Sequence, residues 1–297
     1  MDVRYLDSLV RVVESGSIAE AARLQNLTPA AVSQRIQALE RQLGVALLSR
    51  AGHAAKPSEA CLALLPRARH IIRESQLLVA DTSPAGLGGP LRIGAISTAL
   101  TGLLAPALRR LTATAPALHP TIIPGTSRQL YQALQAEQID AALIVAPPFA
   151  IPKGLRAESL RKEALVLLAP AGAAAGTPAQ VLQALPYLRY DPSAWGGRHA
   201  EDYLEAQQLA LRPLCDLDGL EAIAMLVADG LGASLMPHWP GLERLAAGCT
   251  LTAIPGARFA RNIVLLTSAA PDRPAVLQLL RESLTERPPR ARARARA

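Results

Sequence analysis

The chain contains no local signature of a catalytic device. A phosphate-cradling GxxxxGK, a zinc-binding HExxH and a GxSxG nucleophile elbow are all missing, and each of those chemistries needs its residue types at that spacing. The five histidines, His53, His70, His119, His199 and His238, are scattered without metal-ligand spacing. The expectation is a non-enzyme with no catalytic residue, no metal and no cofactor. The GLGG run at 86–89 follows no strand, so it reads as linker rather than as a dinucleotide-binding turn. His238, in MPHW at a strand end, reads as structural.

Cysteine is nearly as scarce. Cys61, Cys215 and Cys249 form no closely spaced pair and leave an odd thiol, which excludes a disulfide scaffold and suits a reducing compartment. They read as ordinary buried thiols, with redox sensing as the alternative. No apolar run reaches the roughly 20 residues of a membrane helix. The amino terminus, MDVRYLDSLVRVV, sets acids among its apolar residues where an export signal would run from basic to apolar. The expected compartment is the cytoplasm, with no membrane partner.

Acid is absent from the end of the chain. After Glu286 come Arg287, Arg290, Arg292, Arg294 and Arg296 without a single carboxylate. These five account for most of the net charge of +7, because residues 1–286 hold 26 of the 31 basic residues against all 24 acidic ones, a net of +2. Affinity for nucleic acid must therefore come from arrangement rather than from bulk charge. The low-complexity tail, 287–297, cannot bury a core and reads as disordered. It is either a solubilising extension or a source of salt-sensitive, sequence-independent DNA attraction.

What is present is enough apolar material, 50% of 297 residues, for two or three compact units. The most telling stretch is SIAEAARLQNLTPAAVSQRIQALERQL, from Ser17 to Leu43. Ser17 with Glu20 predicts a capping box opening a helix whose apolar side is Ile18, Ala21, Ala22 and Leu24. After Gln25, Asn26 and Leu27, Thr28 caps a second helix with Pro29 in its first turn. At about 100° per residue, Val32, Ile36, Leu39 and Leu43 point inward, while Ala30, Gln34, Gln37 and Arg41 point outward with Ser33 beside them. Such a face suits a major groove: small residues allow entry, Gln and Ser exchange hydrogen bonds with base edges, and Arg meets phosphate or guanine. An amphipathic helix pair with a solvated polar face is the plainer alternative.

The surrounding residues narrow this. Leu6, Val10, Val13 and the SGS of Ser15–Ser17, then Ala21-Ala22, VSQRI from Val32 to Ile36, Leu39-Glu40, Leu43-Gly44, Arg50 and the KPSEA from Lys56 to Ala60 together resemble the amino-terminal part of LysR-type transcriptional regulators. Leu48, Pro57 and Cys61 depart from that pattern, which usually has Phe, Leu and Gly there. The resemblance implies a winged helix-turn-helix that binds double-stranded promoter or operator DNA. Its candidate contacts are Ser17, Thr28, Pro29, Ala30, Ser33, Gln34, Arg35, Gln37, Arg41 and Arg50.

From Ser58 to about Asp81 one long helix is expected, with apolar pairs Leu64-Leu65, Ile71-Ile72 and Leu78-Val79 at seven-residue spacing and Pro66 as a local bend. That seam either meets a partner or packs on the chain's own body. The family resemblance favours a homodimer or homotetramer, with RNA polymerase as a further partner. Thr82 to Pro90, TSPAGLGGP, reads as a hinge.

Beyond it, LRIGAI (91–96), PTIIP (120–124), IDAALIV (139–145), ALVLLA (164–169), YLRY (187–190) and GASLM (232–236) read as strands. Helices are expected at 127–137, 201–208, 219–229 and 273–286. Such alternation predicts a doubly wound, mostly parallel α/β architecture. The resemblance implies an effector domain of two α/β subdomains similar to type 2 periplasmic binding proteins. The chain would cross near 147–163, return near 258–268, and hold a small-molecule effector in the cleft. The division is then 1–58 winged helix-turn-helix, 59–81 linker helix, 82–90 hinge, 91–286 effector domain (subdomain I about 91–162 and 267–286, subdomain II about 163–266) and 287–297 tail.

Ser97, Thr98, Thr126 and Ser127 follow strands and offer hydroxyls and helix-start amides to a polar or anionic group, or else cap their own helices. Across the cleft, Trp195 is placed for stacking and Arg198 for a carboxylate, with Gly196-Gly197 as a flexible closing point. The rivals are a solute-binding protein and a nonspecific DNA architectural protein that uses the Arg-rich tail.

Overall fold

A computed structural model of the protein describes residues 1–51, 54–81, 86–173 and 176–285. The expected basic tail and the first half of the expected hinge, 82–85, lie outside the described residues. Two compact units are present: Met1–Pro90 with Ala136–Gln138, and the remainder from Leu91 onward.

The first unit opens with α1 (Val3–Ser15), α2 (Ile18–Leu24) and α3 (Pro29–Leu43). Each starts at a side chain that accepts a free amide: Asp2 from Arg4, Ser17 from Glu20 and Thr28 from Ala31. Gly16 (φ 68°) and Gly44 (φ 69°) end α1 and α3 in the left-handed region that favours glycine. The box expected at α2 is half built. Ser17 Oγ takes the Glu20 amide at 3.4 Å, but the Glu20 carboxylate turns to Arg23 at 2.6 Å, where a charged donor competes with the Ser17 amide.

Leu6, Leu9, Val12, Ala21, Ala22, Val32, Ile36, Leu39 and Leu47 form the core of this unit. Two residues assigned inward are not buried. Leu24 is 50% exposed, because it lies about 160° round the helix from Ala22. Leu43 keeps the inward angle but sits in the last turn of α3, and is 39% exposed.

A two-stranded wing follows, β1 (Leu48–Ala51) antiparallel to β2 (Ala54–Pro57). Glu40 ties α3 to it by accepting the amides of Leu47 and Leu48 at 2.7 and 3.2 Å. Ser58 Oγ then accepts the Cys61 amide at the start of α4 (Glu59–Asp81), which runs unbroken through Pro66. The expected seam on α4 divides. Leu65, with Cys61 and Ala68, is buried in the head's own core, and Leu64 and Ile72 pack against it, whereas Ile71 and Leu78 stay exposed.

The second unit contains β3 (Gly89–Ala95), α5 (Ser97–Ala99) continuing through a π turn into α6 (Ala105–Thr114), β4 (Leu118–Pro124), α7 (Ser127–Gln135), β5 (Ala141–Val145), β6 (Leu155–Glu163) and β7 (Leu165–Ala169). Then come α8 (Pro178–Ala184), β8 (Tyr187–Tyr190), α9 (Arg198–Ala206), β9 (Pro213–Leu217), α10 (Leu220–Ala228), β10 (Ser234–Pro237), α11 (Leu242–Leu245), β11 (Thr250–Ala253), β12 (Arg261–Ser268) and α12 (Pro274–Thr285). One sheet has the order β4-β3-β5-β12-β6 and another β10-β7-β11. The parallel pair β8-β9 joins the second through the Leu188 amide on the Ala233 carbonyl. β5 and β7, apolar and buried along their whole length, are the central strands.

Four strands were not read as strands in the sequence: β6, β9, β11 and β12, of which β6 and β12 fall in the expected crossing and return segments. β6, LRAESLRKE, is an exposed edge strand whose polar alternation contains no apolar run. The expectation of mostly parallel sheets is also corrected. β3 runs parallel to β5, but β12 runs antiparallel to both β5 and β6, and β7 antiparallel to β10 and β11. The mixture arises because the chain leaves the first sheet along β6 and returns along β12, so outgoing and incoming strands lie side by side. The return falls earlier than 267: all of β12, from Arg261, pairs in the first sheet.

Candidate nucleic-acid interface and ligand cleft

On α3, Ala30, Gln34, Gln37 and Arg41 are exposed and Ser33 is half-buried. Thr28 and Pro29, at the helix start, are exposed as well. Arg4, Arg35 and Arg41 share a shallow groove with Gln34 and Gln37. Arg4 was not among the residues singled out; its clue was a basic side chain in the first turn of the first helix, held by Asp2 at 2.6 Å. Arg35 is partly committed inward, donating to the fully buried Ser8 hydroxyl at 3.2 Å. Ser8 in turn donates to Gln25, whose amide nitrogen donates to Asp7 at 2.6 Å. This polar chain locks the turn between α2 and α3, where Asn26 takes a left-handed φ of 53°. The side chain of Arg50 lies outside the described residues.

In the second unit a cavity of about 470 Å³ opens between the two sheets. Ser97, Thr98, Thr126, Ser127 and Trp195 line it; Arg198, exposed at the start of α9, does not. Their roles differ. Thr126 caps α7 reciprocally with Gln129, each accepting the other's amide at 3.0 and 3.3 Å. Ser127 Oγ accepts the Val145 amide at 3.1 Å, tying α7 to the end of β5. Ser97 Oγ donates to Glu221 of α10 at 2.9 Å, a bond that spans the cleft. Trp195 packs edge-on against Tyr131 and Phe149, with ring centroids 5.8 and 5.6 Å away.

Gly196 and Gly197 serve close approach rather than flexibility. A Cβ on Gly196 would stand 2.7 Å from the Tyr190 hydroxyl, and one on Gly197 would stand 1.9 Å from the Asp191 carbonyl oxygen.

The residue that reading the sequence missed is Arg261. It is buried, lines the cavity, and donates through Nη2 to Thr98 Oγ1 at 2.8 Å. Its charge is met by Glu163, also buried, at 2.7 Å. Burial raises the Tyr190 phenol above its ordinary value, an effect the Arg261 guanidinium opposes. Burial and the neighbouring Asp191 both raise Asp218, which follows β9. Among the thiols, burial pushes Cys61 and Cys249 upward, with Glu40 adding to the rise at Cys61, and this works against the thiolate that redox sensing needs.

A capped helix pair with a wing, joined to an α/β unit whose two sheets enclose a polar cavity, defines a ligand-responsive DNA-binding regulator. Residues 3–62 match the bacterial regulatory helix-turn-helix proteins of the lysR family, and residues 84–289 match the LysR substrate binding domain. The chain belongs to the LysR family of transcriptional regulators and is not an enzyme.

It is 30% identical over 248 residues to the probable HTH-type transcriptional regulator LrrA of Synechococcus elongatus, covering 80% of this chain and 81% of that one. It is 29% identical over 298 residues to a probable hydrogen peroxide-inducible genes activator of Streptomyces viridosporus, covering 96% and 95%. Full-length CbnR complexed with its target DNA shares the fold with a TM-score of 0.66 at 21% identity, covering 96% of this chain and 99% of that one. A full-length OxyR variant of Pseudomonas aeruginosa gives 0.66 at 21%, covering 96% and 98%. No helix among the described residues is long and apolar enough to cross a membrane.

Proposed function

We propose that α3 enters the major groove and that Ala30, Gln34 and Gln37 read base edges, with Ser33 at the margin and Arg41 at phosphate or guanine. Ser17, Thr28 and Pro29 approach the backbone at the helix starts, and Arg50 does so from the wing. Arg35 holds the head together as well as adding charge. The observation that carries this reading is the exposed polar face of α3 above a core of Val32, Ile36 and Leu39.

The effector occupies the cavity lined by Ser97, Thr98, Thr126, Ser127 and Trp195. The cross-cleft bond from Ser97 to Glu221 favours closure of the two subdomains, so a ligand binding there shifts the balance between closed and open forms. Two copies, or four as a pair of dimers, present paired α3 helices to a dyad-symmetric operator. The exposed Ile71 and Leu78 supply apolar surface on α4 for that assembly. RNA polymerase is the downstream partner, and the cytoplasm the place of action.

The test is footprinting of the purified protein on the intergenic DNA beside its own gene, at near-physiological salt with excess competitor. A protected dyad-symmetric site is expected. Uniform, salt-sensitive coating of any fragment would replace sequence reading with nonspecific attraction through the tail.

A further inference from the structure

A second concavity, of about 720 Å³, lies where the start of α8, the outer turns of α9 and the 255–259 turn before β12 meet. None of its lining residues lines the cleft. Its floor is two aromatic rings, Tyr203 and Phe259, set edge to face with centroids 5.4 Å apart, in a chain with only nine aromatic residues. Its walls are small or ring-shaped: Pro178, Ala179, Pro255 and Ala257. Gly256 keeps the wall beside Phe259 open. Its φ is 115°, and a Cβ there would stand 3.2 Å from the Phe259 ring.

Such a groove suits a polyproline II segment. Flat aromatic and proline faces take proline rings, and the segment is extended before it binds, so little entropy is lost. Tyr203 adds a hydroxyl with no hydrogen bond among the described residues, a donor for the carbonyls that such a segment leaves bare. Charges of opposite sign flank the rings. Arg258 stands over the Phe259 ring, 4.6 Å from its centroid, and Asp202 precedes Tyr203 on α9. Both are exposed, and neither joins an ion pair among the described residues.

The chain itself carries the complementary pattern. Glu286-Arg287-Pro288-Pro289-Arg290, with an acid, two adjacent prolines and a base, opens the twelve residues that follow α12. We propose that the groove docks this 286–290 segment, with Pro288 and Pro289 over Tyr203 and Phe259, Glu286 toward Arg258 and Arg290 toward Asp202. Docking pins the arginines that follow, Arg292, Arg294 and Arg296, to the effector domain and withholds them from nonspecific contact with DNA.

The experiment titrates a fluorescent peptide of residues 284–297, by anisotropy, into full-length protein whose own segment is disabled by Pro288→Gly and Pro289→Gly. Binding is expected. The same peptide carrying both glycines should bind about tenfold more weakly, because two ring contacts are lost and two freer residues must be ordered, although its charge is unchanged. Arg258→Glu in the protein should weaken the parent peptide about threefold. The reciprocal swap, Glu286→Arg in the peptide, should reverse the order of the two proteins. In the otherwise unaltered chain, trypsin should remove 291–297 faster from Arg258→Glu than from the parent. Thermal unfolding of Arg258→Glu separates these effects from misfolding.

A glycine peptide that binds as tightly as the proline one would reduce the contact to charge and overturn the proposal. No binding, an order of affinities unmoved by the charge swap, or equal trypsin rates in the two folded proteins would do the same.

Discussion

Glu163 and Arg261 face each other in register across β6 and β12, 2.7 Å apart, with side chains 2% and 1% exposed. They stand where the chain leaves the first sheet for β7 and where it returns from the second. Arg261 also reaches Thr98 at the head of α5. One buried ion pair therefore ties both crossings to the floor of the cavity.

Removing half of that pair should be far worse than removing all of it. Arg261→Met leaves a buried carboxylate unmatched and should destabilise the second unit by roughly 3–5 kcal/mol, whereas Arg261→Met combined with Glu163→Leu should recover most of the loss. Urea unfolding followed by tryptophan fluorescence measures both. Equal loss in the single and double variants would show that the pair stabilises by more than mutual compensation.

Gly197→Ala should damage the cleft without touching a charged group. The new Cβ would meet the main chain of Asp191, at 1.9 Å from its oxygen and 2.7 Å from its carbon, and backbone cannot step aside as a side-chain tip can. Overpacking of this kind costs about 1–3 kcal/mol and should displace Trp195 two residues upstream. Gly154→Ala, where a Cβ meets nothing within 4 Å, is the control. Calorimetric melting and effector titration of the two variants should differ clearly.

Asp218 should make the folded protein less stable as pH rises. Its folded-state value is raised by burial first and by Asp191 second, so the native state holds the proton more tightly than the unfolded chain does. Its contribution is fully present below the ordinary carboxylate value near 3.8 and is lost as pH climbs through the raised value. Asp218→Asn should therefore melt higher than the parent at neutral pH, with the gap closing toward acid. A gap that is constant with pH would show that ionisation of Asp218 plays no part.

Specificity and charge on the DNA face should separate. Gln34→Ala with Gln37→Ala should abolish discrimination between operator and random DNA while leaving the salt dependence nearly unchanged. Arg41→Ala, if Arg41 meets phosphate, should weaken both equally and lower the salt slope by about one. Fluorescence anisotropy across a salt series distinguishes these. If the glutamine pair leaves the operator preference intact, base reading belongs elsewhere on the head.

Much of the molecule was legible along the chain because its determinants are local. Ser17 and Thr28 mark helix starts through hydrogen bonds within three residues, and Pro29 through a ring that fits the first turn. Val32, Ile36 and Leu39 share a face because of helical period, and the runs at 141–145 and 165–169 are apolar because both sides of those strands are covered. What escaped depends on partners far away in sequence. β6 is a strand because β12 supplies its hydrogen bonds, not because its own residues are apolar. Two further misses are local: Glu20 prefers the guanidinium of Arg23, one turn on, to a main-chain amide, and Gly197 is small because its own loop folds back onto the Asp191 carbonyl. Arg261 reads as a surface residue until Glu163, 98 positions earlier, is set beside it. Propensity and period act over one or two turns, whereas a buried charge becomes tolerable only when the fold brings its counter-charge within hydrogen-bond reach.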